Sequence, residues 1–186
     1  WRCNCRRCTW PMRRGEPGRL AWKGRDRRPQ VGDGTIGGMS SKPHPGQRAD
    51  FAHHSFVTTR WGDNDVYGHV NNVQYYSYFD TVVNRYLIEA GALDIHGGPV
   101  IGLVVETRCN YFAPLAFPGD VEAGIRVAHV GSSSVRYEIG LFAADQPLAA
   151  AMGHFVHVYV DRDTRRPVKL PPALLAALAP LRSAMA

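Results

Sequence analysis

The residues best suited to chemistry lie in one short stretch, Asp63 to Asn72, which reads Asp-Asn-Asp-Val-Tyr-Gly-His-Val-Asn-Asn. Asp63 and Asp65 are separated by one residue, and the asparagine pair stands where an apolar helical period begins. The first backbone N–H groups of a helix have no partner inside the helix, and the helix dipole favours negative charge there. A carboxylate just before such a point combines a nucleophile or base with donors that can stabilise an anion. Acyl transfer needs both.

A long helix must position this stretch. Apolar and aromatic residues recur at three- and four-residue steps after it, which predicts a helix over residues 71–90. Asn71 or Asn72 is a preferred N-cap, and Gly91 is a typical C-terminal stop. The apolar members are Tyr75, Phe79, Val82, Val83, Tyr86 and Leu87. Because they cover much of the girth, we expect the helix to be buried rather than to lie on a surface.

Strand patterns surround this helix. A β-branched stretch at 51–60 precedes it, and strand-like stretches at 100–113, 121–127, 135–141 and 148–161 follow, several of them with strict apolar–polar alternation. Phe117-Pro118-Gly119-Asp120 has the Pro-Gly order of a type II turn. Short turns between alternating strands imply antiparallel pairing. The sequence therefore predicts an α+β fold in which a sheet of four or five strands curls around one long helix.

The chain of 186 residues fits one domain, which we place at residues 51–170, followed by a helical tail at 171–186. Residues 1–45 are expected to be a disordered basic leader. Residues 1–38 contain 10 Lys and Arg against 3 Asp and Glu, whereas the remainder is close to neutral. The leader lacks the features of a signal or transit peptide, and Met39 is the expected native start, with the preceding residues outside the native protein.

The same charge distribution argues against nucleic acid as a partner, because the basic residues belong to the leader. No apolar run reaches the roughly 20 residues that span a bilayer. Cys109 is the only cysteine of the domain, so no disulfide framework is expected and the cytoplasm is the predicted location. The Cys3, Cys5 and Cys8 cluster lacks a fourth ligand at a suitable spacing, and no metal site is predicted.

Residues 65–79 resemble the sequence motif of a known protein family. The string Asp65-Val66-Tyr67-Gly68-His69-Val70-Asn71-Asn72, followed by Tyr75-Tyr76 and Phe79, closely resembles hotdog-fold acyl-CoA thioesterases of the 4-hydroxybenzoyl-CoA thioesterase type. Residues 108–115 and 118–120 also resemble that family, and the likeness covers roughly residues 52–162. It implies a hotdog fold, in which a curved antiparallel sheet of about five strands wraps a long central helix. It also implies a homodimer, or a dimer of dimers, with active sites at the dimer interface.

The resemblance implies an enzyme that cleaves an acyl-CoA to a carboxylic acid and free CoA without a metal or an organic cofactor. Asp65 occupies the position of the catalytic carboxylate, and the Asn72 backbone N–H the position that polarises the thioester carbonyl. Gly68, His69, Val70 and Asn71 complete the expected substrate-binding set. Asp65 could attack the carbonyl or activate a water, and the sequence leaves both routes open.

Other interpretations of the same residues stay open. Asp63 fits a turn-capping role better than a catalytic one, and Asp80, in the middle of the helix, is a weaker second candidate. His69 could shape the pocket or be a packed structural histidine. At the level of function, the alternatives are a non-catalytic acyl-CoA binding or sensing module and a hotdog dehydratase. Neither the acyl group nor the choice between CoA and a carrier-protein thioester follows from the sequence.

Overall fold

A computed structural model describes residues 42–182 of the chain. The strands are β1 (His53–Val57), β2 (Val100–Tyr111), β3 (Val121–Val130), β4 (Ser134–Ala143) and β5 (Ala151–Asp161), and the α-helices are α1 (Asn72–Glu89) and α2 (Pro172–Leu178). The expected leader lies mostly outside the described residues, which begin at Lys42. The described helices include none that is both long and apolar enough to cross a membrane.

The five strands form one antiparallel sheet in the order β1-β3-β4-β5-β2. Strands β3, β4 and β5 are consecutive in the chain and form the centre, while β1 and β2 form the two edges. The predicted α+β class, with one long helix and an antiparallel sheet of about five strands, is confirmed.

Helix α1 packs one face against the sheet. Its buried residues are Tyr75, Tyr78, Phe79, Val82, Val83 and Leu87. The ring of Phe79 occupies the space where a side chain on Gly153 of β5 would stand, at 2.2 Å from that Cβ position. The expectation that the helix is buried rather than on a surface holds for one face of it in the single protomer. One sheet covers one side only, and Val73, Asp80, Thr81 and Ile88 are exposed.

The first strand is shorter than predicted, because its pairing with β3 ends where Val57 meets Val121. Phe51 is not in the strand. Its ring fills a notch on the sheet left by Gly124 and Gly140, where added Cβ atoms would come within 2.6 and 2.7 Å of it. Phe51 forms a separate apolar cluster with Phe142 and Ala149.

The turn before β3 also differs from the prediction. The Gly119 N–H donates to the Ala116 carbonyl at 3.0 Å, and the Phe117–Pro118 peptide bond is cis. The hydrogen bond places the turn at residues 116–119, so Pro118 stands at its third position rather than at the second position predicted for a type II turn. At the C-terminus, Leu174 and Leu178 of α2 belong to the same core cluster as the buried face of α1.

Candidate active site

The stretch before α1 folds into a compact turn. The Asp65 N–H donates to the His69 carbonyl at 2.9 Å, and the Gly68 N–H donates to the Asp65 carbonyl at 3.1 Å. Gly68 has a φ of 83°, a left-handed conformation that glycine adopts without strain. The turn thereby brings Asp65 back toward the first residues of the helix.

Two asparagines define the helix start. The Asn71 side-chain oxygen accepts a hydrogen bond from the Val73 N–H at 3.0 Å, which makes Asn71 the N-cap. The Asn72 backbone N–H has no hydrogen-bond acceptor among the described residues. It is thus one of the unpaired donors that a helix start presents.

Asp65 is half-buried. One carboxylate oxygen accepts a hydrogen bond from the Tyr67 N–H at 2.8 Å, as in an Asx turn. No salt bridge among the described residues involves Asp65. Its carboxylate therefore keeps acceptor capacity for a water or a substrate.

A cleft of about 460 Å³ opens beside this turn. Its volume is within the usual range for small-molecule sites. We call it the Asp65 cleft; it is lined by Asp65, His69, Val70, Asn72, Tyr75, Tyr111, Phe112, Ala113 and Pro114. Four of the six predicted site residues meet there. The other two, Gly68 and Asn71, shape the turn and cap the helix but do not line the cleft.

The far wall of the cleft comes from the end of β2. The Tyr111 ring meets the Tyr75 ring edge-on at 5.0 Å between centroids, and the Tyr111 hydroxyl donates to the Asn72 carbonyl at 3.4 Å. Burial raises the pKa of Tyr75 and of Tyr111, so both hydroxyls stay protonated near neutral pH. The sequence did not place residues 112–114 in the cleft. That segment was recognisable only as part of the family likeness.

Other nucleophile and base candidates fit less well. Burial raises the pKa of Cys109 to about 11, so its sulfur is a thiol rather than a reactive thiolate near pH 7. Asp80 is exposed on α1, and one of its carboxylate oxygens accepts from the Asn84 side chain at 2.9 Å. His69 lines the cleft but is largely exposed.

Asp63 lies in a different environment from Asp65. It is 7% exposed, and a single carboxylate oxygen accepts from the Tyr78 hydroxyl at 2.7 Å and from the Arg60 N–H at 2.8 Å. The Asp63 carbonyl accepts from the Asn71 N–H at 2.8 Å. Asp63 therefore connects the turn to the helix, and it does not line the Asp65 cleft.

Asn64 ties the turn to the opposite segment. Its side-chain oxygen accepts from the Phe117 N–H at 3.0 Å, and the Val70 N–H donates to the Leu115 carbonyl at 2.7 Å. These contacts hold both ends of the turn against residues 115–117.

A larger cavity, of about 910 Å³, lies elsewhere. Its wall includes Arg48, His54 and Glu122. The Glu122 carboxylate forms an ion pair with the Arg48 guanidinium and lies 2.7 Å from His54 Nδ1. No residue of the 63–72 stretch lines it, so it is not the candidate active site.

Comparison with known proteins supplies independent findings. The model of the thioesterase-like superfamily matches residues 59–178. No curated protein matches the chain. Among solved structures, the PA5185 protein of Pseudomonas aeruginosa strain PAO1 is 56% identical with a TM-score of 0.74, and the match covers 77% of this chain and 100% of that one.

Two more distant structures have the same fold. The PA2801 protein of Pseudomonas aeruginosa, described as a candidate thioesterase, is 28% identical with a TM-score of 0.64, covering 69% of this chain and 99% of that one. Slr0204 of Synechocystis, a 1,4-dihydroxy-2-naphthoyl-CoA thioesterase, is 16% identical with a TM-score of 0.62, covering 67% and 93% respectively. At that identity the likeness concerns the fold alone.

Proposed function

The chain belongs to the thioesterase-like superfamily, and on that premise we propose that it hydrolyses an acyl-CoA to a free carboxylic acid and CoA. Thioester hydrolysis and the hotdog fold follow from the family. CoA as the thiol is the finer proposal. It rests on the resemblance of residues 65–79 to acyl-CoA thioesterases. The cytoplasm, predicted from the lone Cys109 of the domain, is the proposed compartment.

One observation carries the proposed mechanism: Asp65 lines the same cleft as Asn72, whose backbone N–H is unpaired among the described residues. The thioester carbonyl oxygen gains negative charge as the carbonyl carbon is attacked, and a donor held there in advance stabilises that charge. Loss of one such donor costs roughly 3–4 kcal/mol in other enzymes. The unpaired donor at the helix start is suited to this role.

Asp65 supplies the second requirement by one of two routes. As a base, its carboxylate takes a proton from a water whose oxygen attacks the carbonyl carbon, and the C–S bond breaks to release CoA. As a nucleophile, it attacks the carbonyl directly, expels CoA and forms an anhydride that water then cleaves. A single turnover in ¹⁸O-labelled water separates the routes, because only the anhydride route can place the label in the Asp65 carboxylate.

The test of Asp65 is its replacement by asparagine, which keeps the shape of the side chain and removes the base. We expect Asp65→Asn to lower kcat by about 100-fold or more. The free energy of unfolding should change little, because the amide oxygen of the variant can still accept the hydrogen bond from the Tyr67 N–H. CoA release measured with a thiol reagent gives kcat, and urea denaturation gives stability.

Asp163→Asn is the matched control, since Asp163 is an exposed carboxylate outside the cleft; its kcat should equal that of the wild type. Asp80→Asn tests the second candidate residue. Normal turnover by Asp65→Asn would exclude Asp65 from the mechanism. Acyl-CoA binding without hydrolysis by the wild type would favour the non-catalytic binding module instead.

We further propose a homodimer formed through the free edge of β2. This strand is 12 residues long, its second edge pairs with no described strand, and residues 103–108 are exposed. Leu103, Val104 and Val105 are 38%, 48% and 61% exposed. A long edge strand with exposed apolar side chains favours pairing with another chain.

Charge on the edge tests this interface, because lysine on an edge strand opposes strand pairing. The wild type should have at least twice the 20.6 kDa mass of one chain in light scattering. We expect Val105→Lys to shift that mass toward a single chain. Ile95→Lys, an equally drastic change at an exposed residue away from β2, should leave it unchanged. A monomeric wild type would refute the dimer.

A further inference from the structure

The loop that carries Asp65 begins at Asn64 and ends at Val70; we call residues 64–70 the Asp65 loop. Asn64 and Val70 form an isolated antiparallel β-bridge, which closes the neck of the loop. The Asn64 side-chain nitrogen donates to the Gly68 carbonyl at 3.5 Å, which is longer than a typical N–H···O bond. The loop is therefore a compact unit whose two ends are joined.

Two hydrogen bonds join the Asp65 loop to the segment opposite. The Val70 N–H donates to the Leu115 carbonyl at 2.7 Å, and this bond uses backbone atoms only. The Asn64 side-chain oxygen accepts from the Phe117 N–H at 3.0 Å. A backbone N–H can only donate, so the amide oxygen rather than the amide nitrogen faces Phe117. This second bond depends on which side chain stands at position 64.

The segment that receives the loop continues directly from the cleft wall. Residues 112–114 line the Asp65 cleft, and Phe117 lies three residues beyond them. The N–H groups of Phe112 and Ala113 both donate to the carbonyl of Ala150, at 2.8 and 3.0 Å. Ala150 is buried and immediately precedes β5. The loop is therefore anchored to a wall that is itself fixed to the sheet.

The Asp65 side chain has no anchor of this kind among the described residues. Its carboxylate accepts from the Tyr67 N–H, which belongs to the same loop. The backbone N–H and carbonyl of Asp65 bond to His69 and Gly68, again within the loop. The place of the carboxylate in the cleft therefore depends on how the whole loop is anchored.

We propose that Asn64 is a positioning residue for thioester hydrolysis. Its bond to the Phe117 N–H holds the Asp65 carboxylate at the distance from the cleft wall that the reaction requires. Asn64 does not line the cleft, so it acts through Asp65 rather than on the substrate. This inference rests on the proposed function and deepens it.

The size of the expected effect separates positioning from a purely structural role. A displacement of about 1 Å in a reacting group can lower the rate by about 100-fold. The net contribution of a single hydrogen bond to folding is modest by comparison. Loss of the Asn64–Phe117 bond should therefore lower turnover much more than it lowers resistance to urea.

The first experiment measures CoA release by Asn64→Ala on whichever of acetyl-, hexanoyl-, palmitoyl- and benzoyl-CoA the wild type cleaves fastest. We expect kcat to fall by about tenfold or more, and kcat/KM by a similar factor, because ground-state binding of the substrate is not changed. The midpoint of urea denaturation should fall only slightly.

Asn64→Asp is the conservative variant. It keeps an acceptor for the Phe117 N–H and loses only the donor to the Gly68 carbonyl. Assays at about pH 8 keep carboxylates ionised in this variant. We expect its kcat to return to within about threefold of the wild type, since a charged acceptor bonds at least as strongly as an amide oxygen. A kcat as low as that of Asn64→Ala would overturn the proposal.

The second experiment tests whether Asn64 acts through Asp65. Asn64→Ala is added to Asp65→Asn, and kcat is compared with that of Asp65→Asn alone. We expect a further loss of less than about twofold, because the group that Asn64 positions no longer reacts. The same loss of kcat in both backgrounds, or normal kcat in Asn64→Ala, would overturn the proposal.

Tyr78→Phe is the matched control for loosening of the turn. It removes a hydrogen bond to Asp63 on the helix side, while Asp63 keeps its bond from the Arg60 N–H. We expect a lower urea midpoint with unchanged kcat. A loss of kcat equal to that of Asn64→Ala would show that any loosening slows the enzyme, and it would overturn the proposal.

Two further outcomes are distinguishable from these. If Asn64→Ala does not fold, Asn64→Ser, whose side chain is shorter than that of asparagine, takes its place in both experiments with the same expected losses. A wild type that cleaves none of the acyl-CoA probes would refute the proposed function, and the inference with it. Failure of the inference alone leaves wild-type turnover and the effect of Asp65→Asn as they are.

Discussion

Asp63 and Asp65 lie two positions apart in one turn, yet the structure gives their carboxylates opposite surroundings. An oxygen of Asp63 is enclosed and accepts two donors from the protein, the Tyr78 hydroxyl and the Arg60 N–H. The Asp65 carboxylate accepts the Tyr67 N–H alone among the described residues. Asp65 lines a cleft together with Asn72, whose backbone N–H is unpaired in the same part of the chain. The difference shows that the surroundings of a carboxylate, rather than its residue type, separate a structural group from a reactive one.

The comparison predicts a crossed pattern of mutational effects. Substitution of a residue whose side chain is hydrogen-bonded within the protein should lower stability. Substitution of a residue whose side chain faces the cleft should lower turnover. The loss of turnover expected for Asp65→Asn is one half of that pattern. The other half is a loss of stability when a buried group loses its hydrogen-bond partners.

Asp63→Ala should lower the free energy of unfolding by about 3 kcal/mol, because the buried Tyr78 hydroxyl and the part-buried Arg60 N–H lose their acceptor at once. Urea denaturation measures this change. Asp65→Ala is the matched substitution two residues away, and we expect it to change stability by less than about 1 kcal/mol. Equal losses of stability in the two variants would abolish the distinction between the aspartates.

Lowering the pH should test a second contrast. Asp63 is a buried group with hydrogen-bond donors, whereas the buried Nδ1 atom of His157 has no hydrogen-bond partner among the described residues. The folded pKa of His157, about 4, lies below its ordinary value of 6.5, so the unfolded chain takes up the proton first. The stabilising effect is complete above pH 6.5 and is lost as the pH falls toward 4. Between about pH 7 and pH 5 the loss from this residue should be about 2 kcal/mol.

Urea denaturation at several pH values, on wild type and His157→Leu, isolates that contribution. Other groups titrate in both proteins, and their effects cancel in the difference. The variant should lose less stability on acidification than the wild type does. Parallel stability curves for the two proteins would show that the imidazole is not buried in the folded state.

Tyr78→Phe sharpens the comparison further, because it removes one of the two donors to Asp63 and leaves the carboxylate in place. Burial, followed by the hydrogen bond to Asp63, raises the pKa of Tyr78, so the hydroxyl remains a donor. We expect a loss of about 1 kcal/mol. Tyr67→Phe, at an exposed tyrosine, should change stability very little, and a similar loss in both would contradict the proposed role of the Tyr78–Asp63 bond.

Local patterns in the sequence were sufficient for much of the fold. The apolar period predicted a helix at 71–90, and α1 spans Asn72–Glu89. The alternation in β3 and β4 likewise located those strands. These features depend on neighbouring residues, whose spacing determines which face is buried.

Features that depend on distant partners were missed. Phe51 was assigned to a strand because the notch that holds it exists only once Gly124 and Gly140 are paired across β3 and β4. The hydrogen bond between Asp63 and Tyr78 required the turn to meet the helix. The partial exposure of α1 follows from a sheet that covers one side, which a helical period cannot reveal.

The candidate site was predicted through the family likeness more than through periodicity. The motif that carries this likeness runs from Asp65 to Asn72 and contains all six predicted site residues. Four of these six line one cleft. The structural roles of Gly68 and Asn71 depend on the turn geometry, a positive φ and an N-cap bond. Residues 112–114 join the cleft because β2 ends beside the helix start, which depends on the sheet order.

The sheet order also bears on how the chain acquires its structure. Strands β3, β4 and β5 are joined by short turns, so their contacts form with little loss of chain entropy. Strand β2 follows α1 in the chain, yet its first residue, Val100, pairs with Asp161, the last residue of β5. Because a loop this long must close before the two strands can pair, folding of β2 is slowed. We therefore expect β2 amide hydrogens to exchange with solvent sooner than those of the central strands. Self-association through that edge would then protect the part of the sheet that is last to form.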